Sequence, residues 1–291
     1  MPLSRNDDTP ARSGTWGTVE CGAHRWQVRS EFANATWFLD HLAHPTALLE
    51  PPAQPLRPFA SLSPRTIVRR IFRELPDRPV IIKRYRQKSF WGPWKDLFRG
   101  SQVWRTLKRT QELEALGVPV AGVMAAQVRS RGGWGESWLI MDEVPAAQNL
   151  YDRNVECRDS LDRRGLIRKL SRLMARLHDR DYEHTDPSLT NFLVSFVRPG
   201  RPTVVLIDLD GLRRRRQSLD RVAKGLRRLA VRAPVSHREC LRFLIEYVHA
   251  RQRPVDPRAL AQAVGALRPG ASSPSPWTDR ERMNPGPISL F

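Results

Sequence analysis

The stretch from Tyr182 to Val194 reads "YEHTDPSLTNFLV", and the interpretation of the whole chain begins there. Its polar centre contains Asp186, and Asn191 follows five residues later. A second apolar run, "TVVLIDLD", carries Asp208 close to its end. If the two apolar runs form a hairpin, the side chains of Asp186, Asn191 and Asp208 converge at one end of it. The stretch is therefore a candidate site rather than a plain connection.

The residue types in this stretch suit phosphoryl transfer. The oxygens of Asn191 and Asp208 are ligands for a hard cation such as Mg²⁺, which is held by few side chains plus substrate phosphates. Asp186 is then available to orient or deprotonate a hydroxyl group. The pattern HxDxxxxN, followed by an apolar strand that ends in Asp, is the catalytic signature of the kinase fold. Taken alone, each residue has a plainer interpretation, because a loop Asp is commonly a turn or cap residue.

Two segments upstream fit the same interpretation. Lys83 closes the β-branched run "PVIIK", a position from which a lysine contacts the phosphates of ATP. No GxGxxG motif precedes it, and Arg65 and Thr66 in "LSPRTIVRR" are the alternative phosphate contacts. The apolar run "SWLIMDEV" turns polar at its end, as the strand before a kinase hinge does. The hinge candidates, whose backbone groups would bind adenine, are Asp142, Glu143 and Val144.

The order of the predicted elements indicates the fold class. "RTIVRRIFRE" and "PVIIKRY" predict a hairpin around "LPDR", and "SQVWRTLKRTQELEALGVPV" predicts a helix. "VAGVMAAQV" and "SWLIMDEV" predict two more strands. Long amphipathic segments dominate the second half, among them "DSLDRRGLIRKLSRLMARLHDRDY" and "SHRECLRFLIEYVHA". We expect an α+β protein with a two-lobed protein-kinase-like fold, a small β-rich N-lobe and a mostly helical C-lobe.

Four regions are expected along the chain. Residues 1–55 are rich in proline at their end and are predicted to form an extension and linker with few packed contacts. Residues 56–144 are predicted to form the ATP-binding N-lobe. Residues 145–265 are predicted to form the C-lobe with the catalytic loop and metal site. Residues 266–291, rich in Pro, Ser and Gly, are predicted to be disordered.

Basic charge is concentrated in two segments. Residues 61–110 contain 14 basic and 3 acidic side chains, and residues 211–232 contain 9 and 1, so that these segments account for the whole net charge of +19. Such segments attract nucleic acid, phosphorylated substrates or an anionic membrane surface. A solvated basic face is the alternative. "KSFWGPWKDLFRGSQVW" mixes basic residues with Trp91 and Trp94, which suits either a membrane interface or packing within the first lobe.

Cysteine usage and hydropathy indicate the cellular location of the protein. Cys21, Cys157 and Cys240 form no CxxC pair, which argues against a zinc site or a disulfide framework. No apolar run reaches the roughly 20 residues of a membrane span. The first residues, "MPLSRNDDTPARSG", do not have the pattern of a secretory signal. We therefore expect a cytoplasmic protein.

Longer motifs resemble one known family. "LMARLHDRDYEHTDPSLTNFLV" and "VVLIDLDGLR" are similar to segments of the lipopolysaccharide core sugar kinases, which phosphorylate heptose or 3-deoxy-D-manno-octulosonic acid (Kdo) in the inner core. The resemblance extends over about residues 60–250. It implies that Asp186 is the catalytic base and that Asn191 and Asp208 hold Mg²⁺. It also implies that Lys83 binds the phosphates of ATP.

The chain departs from the family pattern at two places. Thr185 stands where glycine is common before the catalytic Asp, and Pro187 follows that Asp. On the first-lobe helix, the expected partner of the ATP-binding lysine is a Glu near position 106, which is Thr106 here. Glu112 and Glu114 come one or two turns later. This departure leaves a non-catalytic pseudokinase open as an alternative.

The function expected from the sequence is ATP-dependent phosphorylation of a heptose or Kdo hydroxyl of the lipopolysaccharide inner core. The partners would be a lipopolysaccharide precursor or other anionic sugar acceptor, with peripheral contact to the anionic inner face of the inner membrane. The alternatives are another kinase-fold phosphotransferase with a small-molecule or protein acceptor, and a pseudokinase or polyanion-binding protein. Nucleic-acid binding is disfavoured because the chain has no motif for it.

Overall fold

The computed structural model of the chain describes residues 15–55, 65–86, 101–130, 136–156, 160–195, 202–231, 233 and 235–265. The chain folds into two compact units, an amino-terminal unit that extends to Glu143 and a carboxy-terminal unit that begins at Val144. The first is rich in β-strands and the second is mainly helical. The fold class is thus α+β, as the sequence predicts.

The strands of the described residues are numbered in chain order. They are β1 (Trp16–Cys21), β2 (His24–Arg29), β3 (Gln54–Pro55), β4 (Arg65–Phe72), β5 (Leu75–Arg86), β6 (Val123–Ser130), β7 (Glu136–Asp142), β8 (Ala147–Asn149), β9 (Tyr182–His184), β10 (Phe192–Ser195), β11 (Thr203–Leu206) and β12 (Leu212–Arg214).

The helices are numbered in the same way. The α-helices are α1 (Thr36–Ala43), α2 (Gln102–Ala115), α3 (Leu150–Glu156), α4 (Ser160–Asp179), α5 (Leu219–Val231), α6 (His237–Ala250) and α7 (Pro257–Val264). Short 3₁₀ helices occupy Pro45–Leu49, Leu189–Asn191 and Leu209–Gly211.

A seven-stranded sheet organises the amino-terminal unit, in the order β1-β2-β6-β7-β5-β4-β3. The predicted hairpin is present as β4 and β5. Its turn is shorter than predicted, because Phe72 already pairs with Leu75 and the "LPDR" segment belongs to β5. β5 lies between β4 and β7, and this central position fixes the direction of every side chain on it.

The segment before the predicted N-lobe is part of the core of this unit. β1 and β2 extend the sheet beside β6, and Trp26 on β2 is fully buried. Phe38 and Leu42 on α1 are also fully buried, in the same cluster as Val80 and Ile82 of β5. The expectation of few packed contacts is therefore wrong for residues 15–55. The apolar residues of this segment are spread among polar ones and form no clear local pattern. Their burial depends on β5 and β6, which come later in the sequence.

Helix α2 begins and ends where its sequence predicts. The hydroxyl of Ser101 accepts a hydrogen bond from the backbone N–H of Trp104 at 3.1 Å and so caps the first turn. Gly117 stops the helix with φ of +66°, a conformation that glycine adopts without strain. Val103 and Leu107 are fully buried on the face that packs on β6 and β7.

Helices α4 and α6 form the centre of the carboxy-terminal unit. The hydroxyl of Ser171 on α4 lies 3.3 Å from the backbone oxygen of Phe243 on α6, and this close approach is possible because the side chain is small. The capping box predicted for α6 is present, with Ser236 and Glu239 as its two members. The unit also contains α3 and α7, which the sequence analysis did not predict.

Small β-elements carry the loops of this unit. β10 pairs with β11 on one side and with β8 on the other, and β9 pairs with β12. Several predictions fall outside the described residues: those for Cys157, for Trp91 and Trp94 in the aromatic segment, and for the tail 266–291. Among the helices that the structure describes, none is long and apolar enough to cross a membrane.

Candidate active site

The β10–β11 hairpin brings together the two predicted metal ligands. Phe192 pairs with Leu206, and the backbone N–H of Ile207 donates to the backbone oxygen of Asn191 at 2.9 Å. Asn191 therefore precedes one strand and Asp208 follows the other at the same end of the hairpin. The sequence-based expectation that these residues converge agrees with this geometry.

Asn191 also fixes the loop that carries Asp186. The side-chain amide nitrogen of Asn191 donates to the backbone oxygen of Asp186 at 2.8 Å, and the backbone N–H of Ser188 donates to the same oxygen at 2.8 Å. The carbonyl of Asp186 is thus held from two sides, while the residue itself is exposed. Because the amide nitrogen of Asn191 is engaged, its amide oxygen is the atom that suits a cation.

His184 links the loop to Asp208. Its Nδ1 accepts a hydrogen bond from the backbone N–H of Asp186 at 3.2 Å, and its Nε2 lies 3.2 Å from the backbone oxygen of Asp208. This geometry requires a neutral ring with the proton on Nε2. Burial lowers the pKa of His184 below its ordinary value, which favours the same neutral form. His184 therefore positions both acids rather than exchanging protons.

The backbone at Asp208 is unusual. The residue lies in the left-handed region with φ of 55° and ψ of 54°, which few residues other than glycine adopt. Backbone of this kind persists where the surroundings hold it, and it concentrates at functional sites. Here the 3₁₀ turn Leu209–Gly211 follows at once and leads into β12, which pairs with β9. The turn returns the chain to the loop that carries Asp186.

Thr185, which departs from the family pattern, joins the loop of Asp186 to the turn that follows Asp208. Its backbone N–H and its hydroxyl both donate to the backbone oxygen of Gly211, each at 2.9 Å. Gly211 has no room for a side chain, since a Cβ there would lie 2.9 Å from Cε1 of His184 and 3.3 Å from Oγ1 of Thr185. Where the family commonly has glycine, Thr185 thus holds Gly211 through its backbone and its side chain, and we call these two hydrogen bonds the clamp.

In the amino-terminal unit, Lys83 lies on β5, an interior strand of the sheet. On β5 it stands opposite Ile67 on β4 and Leu139 on β7. Arg65 stands opposite Tyr85, two residues from Lys83, and its guanidinium lies 5.3 Å from the centroid of the Tyr85 ring. Because side chains alternate along a strand, Arg65 and Lys83 share one face of the sheet. Two of the three predicted phosphate contacts, Lys83 and Arg65, are thereby on one side of the sheet.

Thr66 is on the other face. It pairs with Arg84, and its hydroxyl accepts a hydrogen bond from Nη2 of Arg84 at 3.2 Å. That face is the one on which Ile82 packs against α1. The structure therefore does not bring Thr66 together with Lys83, and the suggestion that Thr66 contacts phosphate is not supported. A shift of one residue in strand register decides the face, and the sequence does not specify it.

The side chains of the hinge candidates are engaged by arginines. The carboxylate of Asp142 accepts from Nε of Arg78 at 2.6 Å and from its Nη2 at 3.1 Å. The hydrogen bond to Asp142 is the main cause of a raised pKa of Arg78. Glu143 accepts from Nε of Arg69 at 2.8 Å. These acids hold the end of β7 in place, and sequence reasoning did not identify their arginine partners.

The backbone of the same segment is partly committed. The N–H of Asp142 donates to the oxygen of Gly122 at 2.8 Å, and the N–H of Glu143 donates to the oxygen of Pro79 at 3.0 Å. Within the part of the chain that the structure describes, the backbone of Val144 makes no such hydrogen bond. Val144 is therefore the best of the three candidates for a backbone contact with adenine.

The face of α2 that packs on the sheet carries threonines at the positions where a Glu partner of Lys83 was expected. Thr106 and Thr110 are buried, and their hydroxyls donate to the oxygens of Gln102 and Thr106, each at 3.0 Å. Glu114, one of the later acids, forms an ion pair with Arg29, whose side chain is only 4% exposed. Burial raises the pKa of Glu114, and the charge of Arg29 opposes this. Arg29 lies within residues 1–55, which the sequence predicted to be an extension and linker.

The residues at the hairpin fit a magnesium ion by their donor chemistry. An amide oxygen and a carboxylate from Asn191 and Asp208 are hard oxygen donors, and Mg²⁺ takes one or two carboxylates together with substrate oxygens and water. A cluster of three or more His, Cys, Asp or Glu side chains suited to a metal does not occur within the described ranges.

The fold and the loop define a class of protein. The amino-terminal unit is rich in β-strands and has Lys83 on an interior strand, and the helical unit that follows contains an HxDxxxxN loop. This combination is typical of the protein-kinase-like fold. Residues 87–247 match the lipopolysaccharide kinase (Kdo/WaaP) family, and the chain belongs to that family. The resemblance seen in the sequence is thereby confirmed. Family membership makes phosphoryl transfer the class of reaction to be tested.

A solved structure described as "WaaP in complex with acyl carrier protein" is similar to this chain with a TM-score of 0.52. The sequences are 19% identical, and the alignment covers 73% of this chain and 83% of that chain. At this identity the likeness establishes the fold. No curated protein sequence matches the chain.

Proposed function

We propose that the protein is an ATP-dependent kinase that phosphorylates a heptose or Kdo hydroxyl of the lipopolysaccharide inner core. The observation that carries the proposal is the double anchoring of His184, which fixes Asp186 and Asp208 relative to each other through hydrogen bonds of 3.2 Å. Family membership supports the lipopolysaccharide acceptor.

Each residue has a role in the proposed reaction. Asp186, exposed at the loop, accepts the proton of the attacking sugar hydroxyl. Asn191 and Asp208 would hold Mg²⁺, which would supply positive charge beside the phosphates of ATP. Lys83 and Arg65, which share one face of the sheet, bind those phosphates. The backbone of Val144 binds adenine.

The first experiment measures transfer of labelled γ-phosphate from Mg-ATP to deacylated inner-core oligosaccharide. Asp186→Asn should lower kcat by at least about a hundred-fold, which is the lower range for loss of a general base. Asp77→Asn is the matched control, since Asp77 is an exposed acid on β5 with the same chemical change. Full activity of Asp186→Asn would exclude Asp186 as the base.

The same assay separates the rival functions. Transfer to a peptide pool or to free small sugars, without transfer to the oligosaccharide, would indicate a different acceptor class. Absence of ATP binding by the wild-type protein would establish a pseudokinase. Mass spectrometry of the product, with fragmentation between the Kdo and heptose units, distinguishes the two sugars. We propose that the reaction takes place at the cytoplasmic face of the inner membrane, and the basic charge of +19 supports contact with that anionic surface.

Acyl carrier protein is a second partner to test, because it is bound in the similar WaaP structure. An apolar cavity in the carboxy-terminal unit supports the test, and its lining includes Leu166, Leu170, Leu226 and Leu244. Apolar walls of this kind favour a hydrocarbon chain. The measurement is the affinity of the purified protein for acylated and for unacylated carrier protein. Equal or undetectable binding of both forms would exclude the cavity as an acyl site.

A further inference from the structure

Helix α5 carries a row of basic side chains along the loop of Asp186. Arg221, Lys224 and Arg228 are three and four residues apart and so lie on one side of the helix, which we call the α5 ridge. The opposite side of α5 is buried through Val222, Leu226 and other apolar residues. The ridge is therefore held in a fixed orientation by the core of its own unit.

Contacts at both ends place the ridge beside the loop. Nε of Arg221 lies 3.7 Å from the carboxylate of Glu183 on β9. Nη1 of Arg228 lies 3.4 Å from the backbone oxygen of Thr185, the residue directly before Asp186. Lys224 lies between these two on the same side of α5. The basic row thus runs from β9 to the residue that precedes the proposed base.

Basic side chains outnumber acidic ones along the ridge. Glu183 pairs with Arg221, and Asp220 lies in the first turn of α5. Lys224 and Arg228 are both exposed. β12 adds Arg213, which stands opposite Glu183. Exposed like charges at close spacing repel each other, and a bound anion relieves that repulsion.

We propose that the α5 ridge binds an anionic substituent of the sugar acceptor, a carboxylate or a phosphate, while a hydroxyl of the same acceptor faces Asp186. This inference rests on the proposed function and assigns the residues that select the acceptor. A guanidinium binds either anion through paired N–H groups. The contact of Arg228 with Thr185 uses one of its nitrogens, Nη1, and leaves Nη2 and Nε for the ligand.

The test uses deacylated inner-core oligosaccharide in two forms. The charged form keeps its anionic groups, and in the form that we call reduced the Kdo carboxylates are reduced to alcohols and the phosphates are removed by phosphatase. Lys224→Gln and Arg228→Gln should each weaken calorimetric binding of the charged form about ten-fold, the value of one charge-assisted hydrogen bond. The same changes should raise KM for that form in the transfer assay. Binding of the reduced form should change less than about two-fold, because it lacks the anion.

The control is Arg242→Gln on α6, an exposed arginine that loses the same charge elsewhere in the unit. An equal loss of affinity in Arg242→Gln would mean diffuse attraction and would overturn the proposal. So would equal binding of the charged and reduced forms by the wild type. A fall in kcat at unchanged KM in Arg228→Gln would instead indicate that Arg228 positions the loop.

Vesicles of phosphatidylglycerol separate the acceptor from the membrane as the source of the anion. If Lys224→Gln and Arg228→Gln lose vesicle binding but keep oligosaccharide binding, the ridge faces a lipid surface and the proposal is wrong. The kinase proposal fails separately. If the wild type binds the charged oligosaccharide through the ridge but transfers no phosphate to it, the inference about the ridge stands and the proposed reaction does not.

Discussion

At the scale of single residues, the loop of Asp186 depends on small groups that leave no free space. Gly211 lies so close to His184 and Thr185 that no side chain fits at its position. The hydrogen bonds of Thr185 to Gly211 and of His184 to Asp208 join the loop to the turn after β11. A change at Gly211 therefore reaches both acids without touching either of them.

Gly211→Ala should lower kcat at least about ten-fold, because its Cβ would lie 2.9 Å from the imidazole of His184, and moving the ring would break its hydrogen bonds to Asp186 and Asp208. Unfolding free energy should fall by about 1–3 kcal/mol, as for other overpacked sites. The measurements are steady-state transfer rates and urea denaturation. Gly165→Ala on α4 is the control, since a Cβ there would meet no atom within 4 Å among the described residues outside the backbone of its own helix. Unchanged kcat in Gly211→Ala would show that the clamp is dispensable.

At the scale of elements, the segment 15–55 is attached to the sheet and to α2. Arg29 at the end of β2 donates through Nε to the backbone oxygen of Val123 at 2.5 Å and forms an ion pair with Glu114 near the end of α2. A buried pair contributes little net stability compared with apolar residues, but loss of one partner leaves an uncompensated charge. The pair therefore specifies how α2 packs.

Arg29→Met should lower the unfolding free energy by about 3–5 kcal/mol, since Glu114 would remain buried without its partner. The double variant Arg29→Met/Glu114→Leu should recover most of that loss, because both charges are then removed. Thermal and urea unfolding of the two variants measure the difference. Equal destabilisation by the single and double variants would show that the ion pair is not what determines the effect.

Local patterns in the sequence predicted the elements best. The helical repeat of α4 and the capping box of α6 are contained in short segments, and both are present as expected. The apolar runs on either side of Asn191 and Asp208 also form the expected hairpin. Features that depend on distant pairing were missed. Arg29 and Glu114 are 85 residues apart, and the face of the sheet taken by Thr66 depends on register. No short-range pattern carries that information.

At the scale of the whole molecule, a buried polar network stabilises the carboxy-terminal unit. His178 on α4 accepts from the hydroxyl of Tyr247 on α6 at 2.7 Å, and that hydroxyl in turn accepts from Arg251 at 2.5 Å. Nε of Arg251 also donates to Asp179 at 2.7 Å. Burial lowers the pKa of His178 to about 3 and raises the pKa of Tyr247 to about 12. The network is assembled from neutral His and neutral Tyr.

Stability should therefore fall as the solution is acidified. In the unfolded chain His178 takes up a proton near its ordinary pKa of about 6.5, whereas in the folded protein it stays neutral down to about 3. The unfolded state thus binds more protons in this window, and stability decreases by up to about 1.4 kcal/mol per pH unit from this group. Urea denaturation between pH 7 and pH 4 measures the slope, and His178→Gln should reduce it. An unchanged slope in His178→Gln would assign the pH dependence to other groups.

The ion pair between Arg29 and Glu114 also has a consequence for how the sequence diverges over time. Because either charge alone is strongly unfavourable, we expect related sequences that change position 29 to change position 114 as well. The two positions should co-vary although 85 residues separate them. Position 114 lies within the region that matches the family and position 29 lies before it. Descendants that lose the leading segment should therefore also have lost the acid on α2.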